Sequence, residues 1–131
     1  MEPADPSRPL RIVLVEDHKD TMICLKKQLE RAGHIVMEAT CVQEAVSILP
    51  DSDCDVLLSD IGLPDGTGWD LPRQANTLLC RPVFAVAMSG YSDDADLIRS
   101  DKAGFQHHLV KPFHKTELLD LLQEVQQPCM P

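Results

Sequence analysis

An α/β fold built on a parallel five-stranded sheet is what this sequence predicts, on three observations. Short apolar runs rich in β-branched residues alternate with stretches of helical period, the pattern of repeated βα units. The runs are nearly continuous in apolar character, as in Leu10-Arg11-Ile12-Val13-Leu14-Val15, which suits strands covered by helices on both faces. The length of 131 residues, with 44% apolar and 25% charged residues, suits one domain that buries enough surface to fold without disulfides or a structural metal.

The elements follow in order. The first strand, 10–15, ends on two acids, Glu16 and Asp17. A helix over about 20–32 places Met22, Leu25 and Leu29 at helical spacing, and Gly33 is placed to end it. A second strand spans about 34–38. Thr40-Cys41-Val42-Gln43 has the spacing of a capping box, with Thr40 as N-cap and Gln43 reaching back, and the helix it opens stops before Pro50. The third strand, 55–59, ends on Asp60 and the turn former Pro64-Asp65-Gly66.

Pro72 decides where the third helix starts. A helix capped at Thr67 would carry Pro72 in its interior, where a missing amide and a ring clash cost about 3 kcal/mol or more. With Asp70 as N-cap, Pro72 falls in the first turn, where its amide would lack an intrahelical partner anyway. The helix therefore begins near Leu71 and ends near Leu79, after an extended Gly66-Thr67-Gly68 loop. A fourth strand over 83–88 ends on Ser89-Gly90. Ser92 caps a further helix, with Asp93 and Asp94 favourable in its first turn and Gly104 at its end. The fifth strand, 105–110, ends on Lys111-Pro112, and a last helix over 115–126 carries Leu118, Leu119, Leu121, Leu122 and Val125 on a broad apolar stripe. Residues 1–9 and 127–131, rich in proline, read as linker or tail around a domain of 10–126.

Bulk properties narrow the function. A net charge of −9 argues against general nucleic-acid binding. Five widely spaced cysteines with no C-x-x-C pair read as reduced thiols of a cytoplasmic protein, with Cys54 and Cys80 in or near the core. No run approaches the roughly 18 apolar residues of a membrane span, and the N-terminus has no signal-peptide pattern.

Chemistry concentrates at the strand ends. Glu16, Asp17, Asp60, Ser89 and Lys111 each fall at or just past the C-terminal end of a strand, where open α/β sheets place their ligands. Carboxylates about 4 Å apart repel by about 4 kcal/mol per pair at an effective dielectric of 20, so the cluster calls for a cation. The hard oxygen donors suit Mg²⁺. Lys111 and Ser89 add a positive charge and a hydroxyl donor for an anionic oxygen. The set fits a carboxylate nucleophile attacking phosphorus. In the flavodoxin-like strand order 2-1-3-4-5, a three-layer (βα)5 sandwich, Asp60 lies on the central strand and is the best nucleophile.

With these motifs in order the sequence resembles the response-regulator receiver domains of two-component signalling, over about residues 10–126. The motifs are Val15-Glu16-Asp17, Ser59-Asp60-Ile61-Gly62-Leu63-Pro64-Asp65-Gly66, Ser89-Gly90 and Lys111-Pro112-Phe113. Asp60 would, by this resemblance, be phosphorylated by a histidine kinase or histidine phosphotransfer protein. Asp17, Asp60 and the Gly62 carbonyl would bind Mg²⁺, with Glu16 acting through metal-bound water. Ser89 and Lys111 would bind the phosphoryl group, and the Lys111-Pro112 bond would be cis. His108 occupies the family's switch position with Ser89, where Tyr or Phe is commonest. Such a domain is a signalling phosphoacceptor, with Mg²⁺-dependent self-phosphorylation and slow self-dephosphorylation, rather than an enzyme. The wording around Asp60 and in Phe105-Gln106-His107-His108-Leu109-Val110 is most similar to receivers of hybrid histidine kinases, which implies possible linked kinase domains in a longer chain.

Two rivals share parts of this pattern. A haloacid-dehalogenase-type phosphatase needs a second aspartate where Gly62 stands. A pseudo-receiver, a binding module without phosphoryl chemistry, does not need the full set of acids, Ser89 and Lys111. Each residue alone also has a bland reading: Asp60 as a turn former, Glu16 and Asp17 as a capping pair, Lys111 as a solvated lysine. His107 and His108 are adjacent in a strand and face opposite ways, so they form no chelate.

Overall fold

The computed structural model describes residues 9–80, 82–90, 104–111 and 113–126. Its main sheet has five strands: β1 (Arg11–Val15), β2 (Ile35–Ala39), β3 (Val56–Asp60), β4 (Phe84–Ser89) and β5 (His107–Val110). They lie in the order β2-β1-β3-β4-β5, all parallel, the expected 2-1-3-4-5 topology. The described helices are α1 (Lys19–Arg31), α2 (Val42–Ile48), α3 (Leu71–Leu79) and α4 (Lys115–Gln126). The helix expected from Ser92 and the geometry of Pro112 lie outside the described residues.

Period-two alternation in the strands divides the core into two sides. Ile12, Leu14, Val56, Leu58, Val86, Met88 and Leu109 pack with Met22, Leu25 and Leu29 of α1 and Leu118 and Leu122 of α4. Val13, Val15, Leu57, Ala85 and Ala87 pack with Ala45 of α2 and with Leu71 and Ala75 of α3. The three layers are thus α1 and α4, the sheet, and α2 and α3. Leu118 and Leu122 are fully buried, and truncating either to alanine would remove about 2–5 kcal/mol of burial and packing.

The Pro72 reading holds. Asp70 is the N-cap of α3 and Pro72 sits in the first turn, where it is buried. The segment before it differs from an extended loop, however. Gly62–Leu63 and Gly66–Thr67 pair as a small antiparallel ribbon, and Gly68–Asp70 forms a turn of 3₁₀ helix that leads directly into α3.

Two local expectations are corrected. The N-cap of α2 is Cys41, not Thr40. Thr40 pairs instead with Glu44, whose carboxylate accepts from the Thr40 amide at 2.7 Å and from its hydroxyl. The first amides of the helix, those of Val42 and Gln43, donate to the carboxylate of Asp65 at 2.8 and 2.9 Å. A cap from a distant loop has replaced the local one. Cys80, expected near the core, is exposed as the left-handed C-cap of α3 at φ 55°, whereas Cys54 is fully buried.

Candidate functional site

Each strand end delivers its residue to the same edge of the sheet. Glu16 follows β1 and continues the ladder by donating its amide to the Ala39 carbonyl at 3.0 Å. Asp60 closes β3 in register with Met88 of β4, and the next amide, that of Ile61, donates to the Met88 carbonyl at 3.1 Å. Lys111 follows β5 and donates its amide to the Ser89 carbonyl at 2.7 Å. The four residues are fixed by sheet hydrogen bonds rather than by loops.

The side chains then converge. Lys111 Nζ donates to Glu16 Oε1 at 2.6 Å and to Asp60 Oδ2 at 3.1 Å. Glu16 has no exposed side-chain surface and Asp60 only 13%, so this one ammonium serves two carboxyls in a poorly solvated place. Carboxylate oxygens of Glu16, Asp17 and Asp60 all lie within 4.8 Å of one another. Asp17 is the exposed member, facing solvent where an ion would enter.

The electrostatics separate the two carboxyls under Lys111. Burial pushes Asp60 up to about 7, and the neighbouring Glu16 adds to the shift against the opposing pull of Lys111. For Glu16 burial acts upward as well, but hydrogen bonds from Asp60 and Lys111 outweigh it and hold the group below its ordinary value. Burial would lower Lys111, yet the paired carboxyls hold it above the usual lysine range, so it stays charged. Without a second cation the site carries more acid than Lys111 can neutralise, and Asp60 binds a proton more readily than an ordinary aspartate. That is the condition of a site shaped for a divalent cation.

Beside Asp60 a cavity of about 270 Å³ is lined by Asp60, Ile61, Gly62, Trp69, Ser89 and His108, among others. Ser89 Oγ and His108 Nε2 are 2.7 Å apart on its wall. His107 turns to the other face, with its ring 5.4 Å from that of Phe84 and Nε2 3.5 Å from a Glu124 oxygen, so the two histidines are separated as expected.

Sequence reasoning missed Gly68 and Asp65. A Cβ on Gly68 would lie 2.5 Å from the Asp60 carbonyl oxygen and 3.0 Å from Ser59 Oγ, so only glycine lets the chain lie against the backbone of Asp60. Its amide donates to the Ile61 carbonyl at 2.8 Å and folds the ribbon back over the strand end. The one sequence signal was the Gly66-Thr67-Gly68 spacing. For Asp65 as the cap of α2 there was none.

The family model described as the response regulator receiver domain matches residues 12–123. The chain belongs to this family. Among curated relatives, an uncharacterized 14.6 kDa protein of Leptolyngbya boryana is 32% identical over 86% of this chain and 87% of its own. The virulence sensor protein BvgS of Bordetella pertussis is 29% identical over 92% of this chain, which spans only 10% of that protein. The transcriptional regulatory protein PhoP of Escherichia coli is 30% identical over 87% of this chain and 51% of its own. Among solved structures, the non-phosphorylated HemR receiver domain of Leptospira biflexa matches with a TM-score of 0.81 at 28% identity, over 95% of this chain and 98% of that one. The receiver domain of sensor histidine kinase PA1611 from Pseudomonas aeruginosa, solved with a magnesium ion in its active site cleft, matches with a TM-score of 0.79 at 26% identity, over 89% of this chain and 97% of that one. This chain is a receiver domain of two-component systems, homologous to the receivers of hybrid kinases, and no described helix is long and apolar enough to cross a membrane.

Proposed function

We propose that Asp60 is the phosphoacceptor, taking a phosphoryl group from a phosphohistidine of a histidine kinase or histidine phosphotransfer protein, with Mg²⁺ bound beside it. The observation that carries this reading is the convergence of Glu16, Asp17, Asp60 and Lys111 at one sheet edge. The donor set fits Mg²⁺: hard carboxylate oxygens only, one of them exposed, with no sulfur or imidazole among the three. Asp17, Asp60 and the Gly62 carbonyl would hold the ion, with Glu16 acting through water. When bound, the ion supplies positive charge that keeps Asp60 ionised and offsets charge on the phosphoryl oxygens.

The residues of the chain do the rest. An Asp60 carboxylate oxygen forms a bond to phosphorus while the bond from phosphorus to the donor imidazole nitrogen breaks, and the electron pair leaves with the imidazole. Lys111, already 3.1 Å from Oδ2 of Asp60, moves its charge to a phosphoryl oxygen once that carboxyl has become an acyl phosphate. Ser89, on the cavity wall, offers its hydroxyl to another oxygen, and with His108 it passes the change to a partner-binding surface. Gly68 and Asp65 hold the ribbon that carries Gly62 in place. The working unit is residues 10–126, acting in the cytoplasm without nucleic acid, either alone or joined to kinase domains of a longer protein. Self-phosphorylation from small donors and slow self-dephosphorylation follow from the same chemistry.

Incubation with Mg²⁺ and acetyl phosphate, read by intact mass, tests the reading. One base-labile phosphoryl group is expected, absent from Asp60→Asn and absent without Mg²⁺. An unmodified protein would leave a binding module without phosphoryl chemistry.

A further inference from the structure

Where β1 first meets β2, a side chain makes a hydrogen bond that the backbone would ordinarily make. Arg11 pairs with Ile35, so Leu10, just before β1, stands opposite His34. The Leu10 carbonyl accepts from the Ile35 amide at 2.9 Å, as a parallel ladder requires. The Leu10 amide would next find the carbonyl of Gly33, but Gly33, at φ 96°, belongs to the turn that ends α1. His34 Nδ1 stands in for it and accepts from the Leu10 amide at 3.1 Å. The imidazole is 7% exposed, and Leu10 is fully buried in the core shared with α1 and α4.

A carbonyl in that place would accept at any pH. An imidazole accepts only while Nδ1 is bare. A proton on Nδ1 faces the Leu10 amide hydrogen and leaves a buried donor without an acceptor. The charged groups on the surrounding elements do not offset this. Glu30 and Arg31 in the last turn of α1 are exposed, and Glu38 at the far end of β2 pairs with Lys26. Arg11 is engaged with Asp55 through its amide and with the Ser52 carbonyl through its guanidinium, and Asp53 before β3 is exposed. Burial alone holds His34 below the ordinary histidine value of 6.5.

We propose that His34 is an acid-released latch, which holds the start of β1 to β2 while its imidazole is neutral and lets go when Nδ1 is protonated. The latch closes the end of the sheet opposite Asp60, so it responds to pH separately from the acidic cluster. Its sign follows from the lowered value: the contribution is whole above about 6.5 and is lost as the pH falls from there through the folded value.

Ring ¹⁵N NMR and amide hydrogen exchange of the whole chain test the latch. At about pH 7.5, Nδ1 of His34 is expected to be bare and Nε2 to carry the hydrogen; a protonated Nδ1 there overturns the inference. Between about pH 7.5 and pH 5.5 the protection factor of the Leu10 amide should fall by up to about tenfold, the limit for one proton taken up one pH unit below 6.5. Protection of Leu58, in the central strand, should hold. Neither variant should show the fall: His34→Asn because its side-chain oxygen accepts from the same amide without titrating, His34→Leu because its Leu10 amide has no acceptor at either pH. Unchanged protection of Leu10 in the wild type, an equal fall at Leu58, or an equal fall in either variant overturns the inference.

Discussion

Asp60 and Asp65 belong to the same strand-to-helix connection, and the fold pushes their carboxyls in opposite directions. Burial and the neighbouring Glu16 push Asp60 up to about 7. The backbone amides of Gln43 and Val42 hold Asp65, fully exposed, below the usual carboxylate range. An aspartate given two amide donors has its charge satisfied and becomes a structural clamp. One given a poorly solvated seat and an acidic neighbour keeps unmet demand for positive charge, which is the demand that the proposed metal ion would meet.

The largest effect expected from breaking this contrast comes from Lys111→Met. Removing the ammonium leaves Glu16 and Asp60 facing each other in a poorly solvated place, which at pH 8 should cost about 3 kcal/mol of stability in metal-free protein. The loss should shrink as the pH is lowered toward about 7, because without the pull of Lys111 Asp60 takes up its proton above the value it has in the intact site. Urea unfolding at both pH values checks this, and a pH-independent loss would mean that the pair is held by packing alone.

Gly68→Ala comes next. Its new Cβ meets the Asp60 carbonyl, which is backbone and cannot swing aside, so about 2 kcal/mol should be lost. Modification by acetyl phosphate should slow as well, because Asp60 must shift. Wild-type stability in the alanine variant would show that the ribbon has room to move.

The third prediction sharpens the contrast through pH. Asp60 has a pKa of about 7 in the folded metal-free protein against 3.8 for an ordinary aspartate. It therefore binds a proton more tightly folded than unfolded. The stability this proton gives is fully present below about pH 4 and is lost as the pH rises through 7. Mg²⁺ must displace that proton, so Mg²⁺ affinity should fall up to about tenfold per pH unit below 7. Calorimetry in buffers of different ionisation enthalpy would detect the released proton; release absent at pH 6 would contradict the raised value.

Asp65→Ala should give the smallest change. The α2 amides lose their acceptor, and the loss should be less than that of Gly68→Ala because water can reach this exposed end. Its pH dependence has the opposite sign to that of Asp60. The folded pKa is depressed, so the contribution is present above the ordinary aspartate range and fades as the pH falls through the lowered value. Thermal unfolding of wild type and Asp65→Ala at neutral and acid pH should converge at the acid end.

What the sequence made legible divides along the same line. Strand ends could be read because a continuous apolar run stops where the sheet stops, which located Glu16, Asp60, Ser89 and Lys111 before any geometry was known. The start of α3 could be read because Pro72 forbids nearly every alternative. The cap of α2 could not, because Thr40 offers a plausible local acceptor and Asp65, which supplies the actual one, arrives from across the chain. Gly68 was hidden for a related reason. Its constraint is a close approach to Asp60, and sequence spacing records conformation better than contact. The hydrogen bond between Ser89 and His108 needed the register of β4 and β5, which no local pattern specifies.

The all-parallel sheet has a kinetic consequence. A parallel neighbour can be reached only by a long crossover, and β1 must wait for β3, whose first residue comes 41 positions after the last of β1. Such non-local pairing sets a slow folding clock. Lys111 completes the charge cluster, and it lies 95 positions beyond Glu16. A ribosome-bound chain would therefore emerge with Glu16 and Asp60 lacking their shared cation, and the charge cluster would be completed late, when β5 docks and brings Lys111 home.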